Sequence, residues 1–396
     1  MPLDEGRGIA LSRLKVGIVT KEWPPAIYGG AGVHVLQLTQ ALRSINGVDV
    51  DVHCFGGKRD DAFGYETPTQ FVSANPAVQA LVTDLEIATN LGNVDLVHSH
   101  TWYANMAGHV AAMQYSIPHI VSAHSLEPLR PWKAEQLGGG YAISSWAEKT
   151  AYEAAAAIIA VSDGMRADVL KSYPNVNPNK VITIRNGVDT SKFAPNHDAA
   201  VPVKYGVTGR YAIFVGRITR QKGLAHLLRA WKQVPAEYGL VLAAGSPDEE
   251  GIGKEVADLI AELQKTRSNI WWIKDMLAHD ELTAMLTAAD LFICPSVYEP
   301  LGIVNLEAMG CETAVLGSRV GGIPEVIADK QTGELVDYTE DAAKFENALT
   351  ESITRLMSQP ELLAAYGSAG RVRAMTEFGW DAVAAATVAL YRRVIA

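Results

Sequence analysis

Cysteine is scarce in this chain. Its 396 residues include three, Cys54, Cys294 and Cys311, and no C-x-x-C pair. That argues against a disulfide framework, and the apolar strand-like surroundings of Cys54 and Cys294 read as core positions in a reducing compartment. No apolar run approaches the roughly 20 residues needed to span a membrane. The opening stretch MPLDEGRGIALSRLK lacks the apolar core of a signal peptide. A cytoplasmic protein without a membrane partner is the expectation. Positive charge is also short, with 34 Lys and Arg against 44 Asp and Glu, a formal net charge of −10. This opposes a broad nucleic-acid or anionic-membrane surface. An anionic small ligand would need a local basic site. Internal repeats and low-complexity tracts are missing too.

What is there is ordinary globular composition, 48% hydrophobic and 20% charged, at a length that suits two domains. Short apolar runs alternate with helical patterns throughout. The strand candidates are 15–20, 48–55, 95–98, 119–123, 158–161 and 181–184, then 212–215, 240–244, 270–273, 291–294 and 314–316. Most are almost continuously apolar, as parallel strands covered on both faces should be. The fold class is α/β, with two doubly wound Rossmann-like domains facing across a cleft. The boundaries expected are 1–190, a Pro- and Gly-bearing linker at 191–210, 211–378, and a C-terminal amphipathic helix in 379–396. A cleft of that kind suits group transfer from an activated donor, where water is the competing acceptor.

The most informative stretch runs from Glu299 to Glu307, after the strand Leu291–Cys294. Glu299 falls on a crest loop and Glu307 on the following helix. Ligands bind at the carboxyl ends of strands in such sheets. The helix start near Gly302 offers free N–H groups to phosphate. Eight residues at 3.6 per turn leave the two glutamates roughly 80° apart, so they act from different elements or not together. Carboxylates around an anion site suit a ligand bearing both hydroxyls and phosphates, such as a sugar nucleotide. Helix capping alone also accounts for Pro, Gly and Glu here.

Other motifs add to this. Gly216-Arg217-Ile218-Thr219-Arg220-Gln221-Lys222-Gly223 is a cationic strand-to-helix loop, in which Arg217 can fork onto phosphate oxygens and Lys222 adds a point charge. Tyr28-Gly29-Gly30-Ala31-Gly32 follows the first strand and permits close approach of backbone to ligand, although it matches neither common phosphate-loop spacing. Lys21, just before it, could help hold a diphosphate. His98-Ser99-His100 has metal-ligand spacing, but the nearby chain supplies no convincing third ligand, so no metal is expected. Trp102 and Tyr103 fit sugar stacking, or simply core. His124 ends an apolar strand and could bond hydroxyls, or be structural. The long loop with Arg130, Trp132, Lys133 and Tyr141 could receive an anionic or carbohydrate acceptor.

In order and placement, Glu299 with Glu307, Arg217 with Lys222, and Asn186-Gly187-Val188-Asp189 resemble the retaining glycosyltransferases of family 4, which have the GT-B fold. More narrowly, Lys21-Glu22-Trp23-Pro24-Pro25, the Tyr28–His34 segment and the Arg130–Tyr141 loop resemble the actinobacterial-type bacterial glycogen synthases. The resemblance implies metal-independent transfer of glucose from ADP-glucose, or UDP-glucose, without a cofactor. The expected reaction is elongation of an α-1,4-glucan. The alternatives are glucose 1-phosphate as acceptor, giving maltose 1-phosphate, or a UDP-sugar-dependent family 4 activity. The first domain would be the acceptor side, and the C-terminal helix would cross back to it.

By that resemblance, Arg217 and Lys222 neutralise the departing diphosphate, and Glu307 accepts the ribose diol. Glu299 and the backbone of Leu301, Gly302 and Ile303 close on sugar and phosphate. His124 contacts the donor sugar, and Gly29 and Gly30 bring backbone against the diphosphate. The nucleobase would lie near Ser246 and Met276. Front-face attack would need no protein base, while double displacement through Glu299 is the rival route. A homo-oligomer is left open.

Overall fold

The structure, a computed structural model, describes residues 13–130, 138–245 and 247–396. It divides into two compact units. One contains the chain up to Ala160 together with Asp168–Ile182 and Ala384–Ala396; the other contains Val161–Ala167 and Thr183–Val383.

The first unit is built on β1 (Leu14–Thr20), β2 (Val48–Phe55), β3 (Phe63–Tyr65), β4 (Leu96–His100), β5 (His119–Ala123), β6 (Ala157–Ala160) and β7 (Val181–Thr183). Their spatial order is β3-β2-β1-β4-β5-β6-β7. The second unit carries β8 (Tyr211–Val215), β9 (Gly239–Ala243), β10 (Ile270–Ile273), β11 (Leu291–Cys294), β12 (Ala314–Ser318) and β13 (Gly333–Val336), in the order β10-β9-β8-β11-β12-β13. Every described pairing is parallel. Both sheets reverse their winding once, between β1 and β4 and between β8 and β11. Crevices at such reversals are where open α/β sheets hold ligands.

The strands form because their residues are apolar on both faces. Ile18, Val52, Ile120, Leu242, Leu291 and Leu316 are wholly buried. Helices cover them with spaced apolar residues. Leu224, Leu227, Leu228 and Trp231, at i, i+3, i+4 and i+7 of the helix Leu224–Trp231, all face the second unit's core. Each such side chain contributes about 1.5–3 kcal/mol by leaving water. The three cysteines are buried free thiols.

Residues 191–210 differ from a linker. Pro202 is buried within the short helix Ala200–Lys204. Lys204 and Tyr205 both bind the Glu281 carboxylate, and the Asn196 amide donates to Thr287 Oγ1 at 2.9 Å. The polar residues that mark the segment as loop-like fasten it to the second unit. Two short edge strands, β3 and β13, also lie outside the strand candidates. Among the described residues no helix is long and apolar enough to cross a membrane.

Candidate active site

At the second unit's reversal, β8 delivers Arg217 and Lys222 while β11 delivers Glu299. Lys222 Nζ donates to Glu299 Oε2 at 2.6 Å, and both side chains are largely buried. Burial pulls the Lys222 pKa down, but the Glu299 carboxylate outweighs it and leaves the ammonium above its ordinary value. Arg217 Nη1 donates to both Asp248 carboxylate oxygens at 2.8 Å. The two cations are thus already oriented by carboxylates.

The Glu299 loop is held in several ways. Ser296 Oγ donates to Glu299 Oε2 at 3.1 Å, and the Gly322 amide donates to the Glu299 carbonyl at 3.0 Å. A Cβ on Gly321, whose φ is +51°, would stand 1.9 Å from that carbonyl oxygen. Glycine is therefore required for the loops after β11 and β12 to touch. Gly302, at φ +91°, caps the helix Ile303–Gly310. Leu301 is buried. Glu307 lies on this helix. Burial pushes its carboxyl up to about 7, against the pull of the Lys222 ammonium.

At the first unit's reversal the residues are of another kind. His34 sits on the helix Gly30–Ser44, His100 ends β4, and His124 follows β5. His100 Nδ1 and His124 Nε2 are 3.0 Å apart, and the His34 and His124 ring centroids are separated by 4.6 Å. Burial drops the His124 pKa to about 4. Burial, then neighbouring imidazoles, take His100 well below its ordinary value. Both rings are neutral at neutral pH. Thr101, next in the chain, has φ +68° and ψ 160°. A side-chain-bearing residue there stores about 1–3 kcal/mol of strain, a feature that clusters at functional sites.

The glycine loop is gripped from within. Glu22 Oε2 accepts from the amides of Tyr28 and Gly29 at 2.9 and 2.8 Å. A Cβ on Gly32 would stand 2.6 Å from the same oxygen. Lys21 Nζ lies 3.8 Å from the Tyr103 ring centroid, a cation–π contact. Burial lowers the Lys21 pKa, with Glu22 opposing.

Among the sequence candidates, the second unit brings Arg217, Lys222, Glu299, Leu301, Gly302, Ile303 and Glu307 to one crest. The first unit brings Lys21, Gly29, Gly30, Tyr103 and His124 to another. Met276 is exposed. Trp102 requires a correction: it is 3% exposed and packs with Ala77 and Ala80, so its ring face is core rather than a sugar platform. Tyr141 Oη donates to the Glu127 carbonyl at 2.8 Å, and Arg130 Nη1 to Ser125 Oγ at 3.1 Å. Trp132, Lys133 and Ser246 lie outside the described residues. The sequence reading gave no site role to Glu22, His34, His100 or Asp248: Glu22 and His34 stood only within motifs that carry the resemblance, His100 was set aside as a metal ligand, and its partners lie 66 and 24 residues from it along the chain.

Residues 28–192 match the model of Glycosyltransferase Family 4, and residues 203–373 that of Glycosyl transferases group 1. The chain is 49% identical over 389 residues to the alpha-maltose-1-phosphate synthase of Mycolicibacterium smegmatis, covering 97% of this chain and 100% of that protein. The protein of the same name from Mycobacterium tuberculosis gives the same identity and coverage. The solved sucrose-phosphate synthase from Thermosynechococcus elongatus superimposes with a TM-score of 0.80 over 96% of this chain and 99% of its own, at 24% identity, a likeness of fold. The expectation of a glycogen synthase elongating a glucan is thereby overturned, since the full-length relatives are named for making maltose 1-phosphate. With both halves matched in order and both doubly wound sheets in place, the chain belongs to glycosyltransferase family 4 and has the GT-B fold.

Proposed function

We propose that this protein transfers glucose from a nucleotide-glucose, ADP-glucose being the preferred donor, to glucose 1-phosphate. The product is α-maltose 1-phosphate, formed with retention at the anomeric carbon. The observation that carries this reading is the 49% identity, over nearly the whole chain, to enzymes named for that product. The pairing of Lys222 with Glu299 at 2.6 Å supports the placement of the reaction.

In this reading Arg217 and Lys222 take the donor diphosphate, and Glu307 accepts the ribose hydroxyls. Glu299 accepts from the glucose hydroxyls and keeps the Lys222 ammonium aimed at the phosphate. His124, neutral through burial, bonds the donor sugar. The bond from the anomeric carbon to the β-phosphate oxygen breaks as the acceptor 4-oxygen bonds to the same face, and the departing phosphate takes the acceptor proton. Negative charge grows on the leaving group, where fixed cations and the amides beside Gly302 stabilise it electrostatically. Arg130, whose Nε has no hydrogen-bond partner among the described residues, serves the acceptor phosphate together with Lys133. Neither a cofactor nor a metal takes part.

Product analysis tests this directly. ADP-glucose, and UDP-glucose in parallel, are offered with glucose 1-phosphate and separately with a malto-oligosaccharide. Maltose 1-phosphate, formed faster from ADP-glucose and unaffected by a chelator, is the expected result. Release of nucleotide without that product would overturn the acceptor assignment. Faster turnover of UDP-glucose would overturn the donor.

A further inference from the structure

His34, His100 and His124 each offer a ring nitrogen, and these three atoms lie within 4.8 Å of one another. We propose that they form a binding site for a borderline-soft divalent transition-metal ion, with Zn2+ the best-matched. Zinc–imidazole bonds of about 2.0–2.1 Å place the nitrogens of a tetrahedral site roughly 3.3 Å apart. His100 Nδ1 and His124 Nε2, at 3.0 Å, already approach that spacing. Rotation of the His34 ring completes it.

The donor set selects the ion class. Three imidazoles favour zinc, copper or nickel and disfavour magnesium and calcium, which require oxygen ligands. The ligands come from one helix and the ends of two adjacent strands, so the backbone fixes their spacing. The His98 ring, 4.2 Å from that of His100, is held by Tyr391 Oη at 2.6 Å and Ser122 Oγ at 2.8 Å. The His100–His124 hydrogen bond is exchanged for two metal bonds. Three protein ligands leave a fourth position open.

The ion acts as an inhibitor rather than a cofactor, because it fixes the orientation of the imidazole that bonds the donor sugar. This consequence, unlike the site itself, rests on the function proposed above. The experiment uses the full chain stripped of metal. Zn2+ is titrated against a chromophoric chelator, and Co2+ is followed by visible absorption. One ion per chain, strong absorption bands of a four-coordinate cobalt site, and affinity about tenfold or more lower in both His34→Gln and His100→Gln are expected. Circular dichroism checks that each variant folds, and His34→Gln decides alone if the buried His100 variant does not. The absence of a saturable site, or one unchanged in the folded variants, overturns the proposal. Zn2+ that binds at this site without competing with nucleotide-glucose leaves the site standing and removes His124 from the donor. Loss of donor affinity in His124→Ala without any zinc site does the reverse.

Discussion

The two units use one sheet topology to make different electrostatic environments. At the β8/β11 reversal the side chains are ion pairs, Lys222 with Glu299 and Arg217 with Asp248. At the β1/β4 reversal Lys21 and Glu22 follow β1, and His100 and His124 are imidazoles kept uncharged by burial. Topology fixes where a ligand can sit, while the residues on the crest loops fix what kind. The charged crest suits a diphosphate whose charge grows during reaction. The neutral imidazoles of the first unit suit hydroxyls, which must be oriented without being ionised.

The largest test of this contrast removes a cation from the charged crest. Lys222→Ala and Arg217→Ala should each lower kcat of order 10²-fold, the scale of one strong transition-state contact. Near-normal turnover in both would erase the distinction between the crests. Next comes the backbone that holds Glu299. Gly321→Ala forces a side chain onto the Glu299 carbonyl and should cost about 1–3 kcal/mol in urea unfolding, with weaker donor binding. A loss below about 0.5 kcal/mol would show that the loop moves aside.

Buried acids sharpen the comparison further. In the first unit, burial and then Glu127 push Glu148 up to about 8. Its folded value exceeds its unfolded one, so its contribution to stability is complete below its unfolded value and is lost as pH rises through about 8. The melting temperature should fall from pH 5 to pH 8.5, and Glu148→Gln should flatten that slope; equal slopes would refute a protonated Glu148. The smallest effect concerns Glu307, raised to about 7. ADP binding should strengthen a few-fold from pH 6 to pH 8 as this carboxylate ionises and accepts the ribose hydroxyls. Glu307→Gln should lose most of that change, and titration calorimetry reads it.

Much of the scaffold was legible because buried parallel strands announce themselves. Val48–Phe55, His119–Ala123, Ile270–Ile273 and Leu291–Cys294 have the ends that the sequence pattern assigns. The edge strands were not legible. Phe63–Tyr65 is three residues long with a central glycine, and Gly333–Val336 contains Glu334, which is buried against Arg355 and Tyr366. An apolar pattern cannot register a strand whose polar residue is satisfied by tertiary partners. The charged crest could be read because its residues are close in sequence to the strands that present them. The histidine cluster could not, because three distant segments must fold before it exists. Trp102 shows the opposite error: an aromatic at a strand end looked like a ligand platform and is a packing residue.

The hydroxyl of Tyr391 ends at the His98 imidazole, 293 positions away along the chain, in the interior of the first unit. The tail is therefore a plug as well as an ending. Clipping off the last few residues would uncover a hole beneath the middle of the first sheet and leave a ring nitrogen facing incoming solvent. Carboxyl-terminal trimming should thus damage the half of the enzyme that was synthesised first.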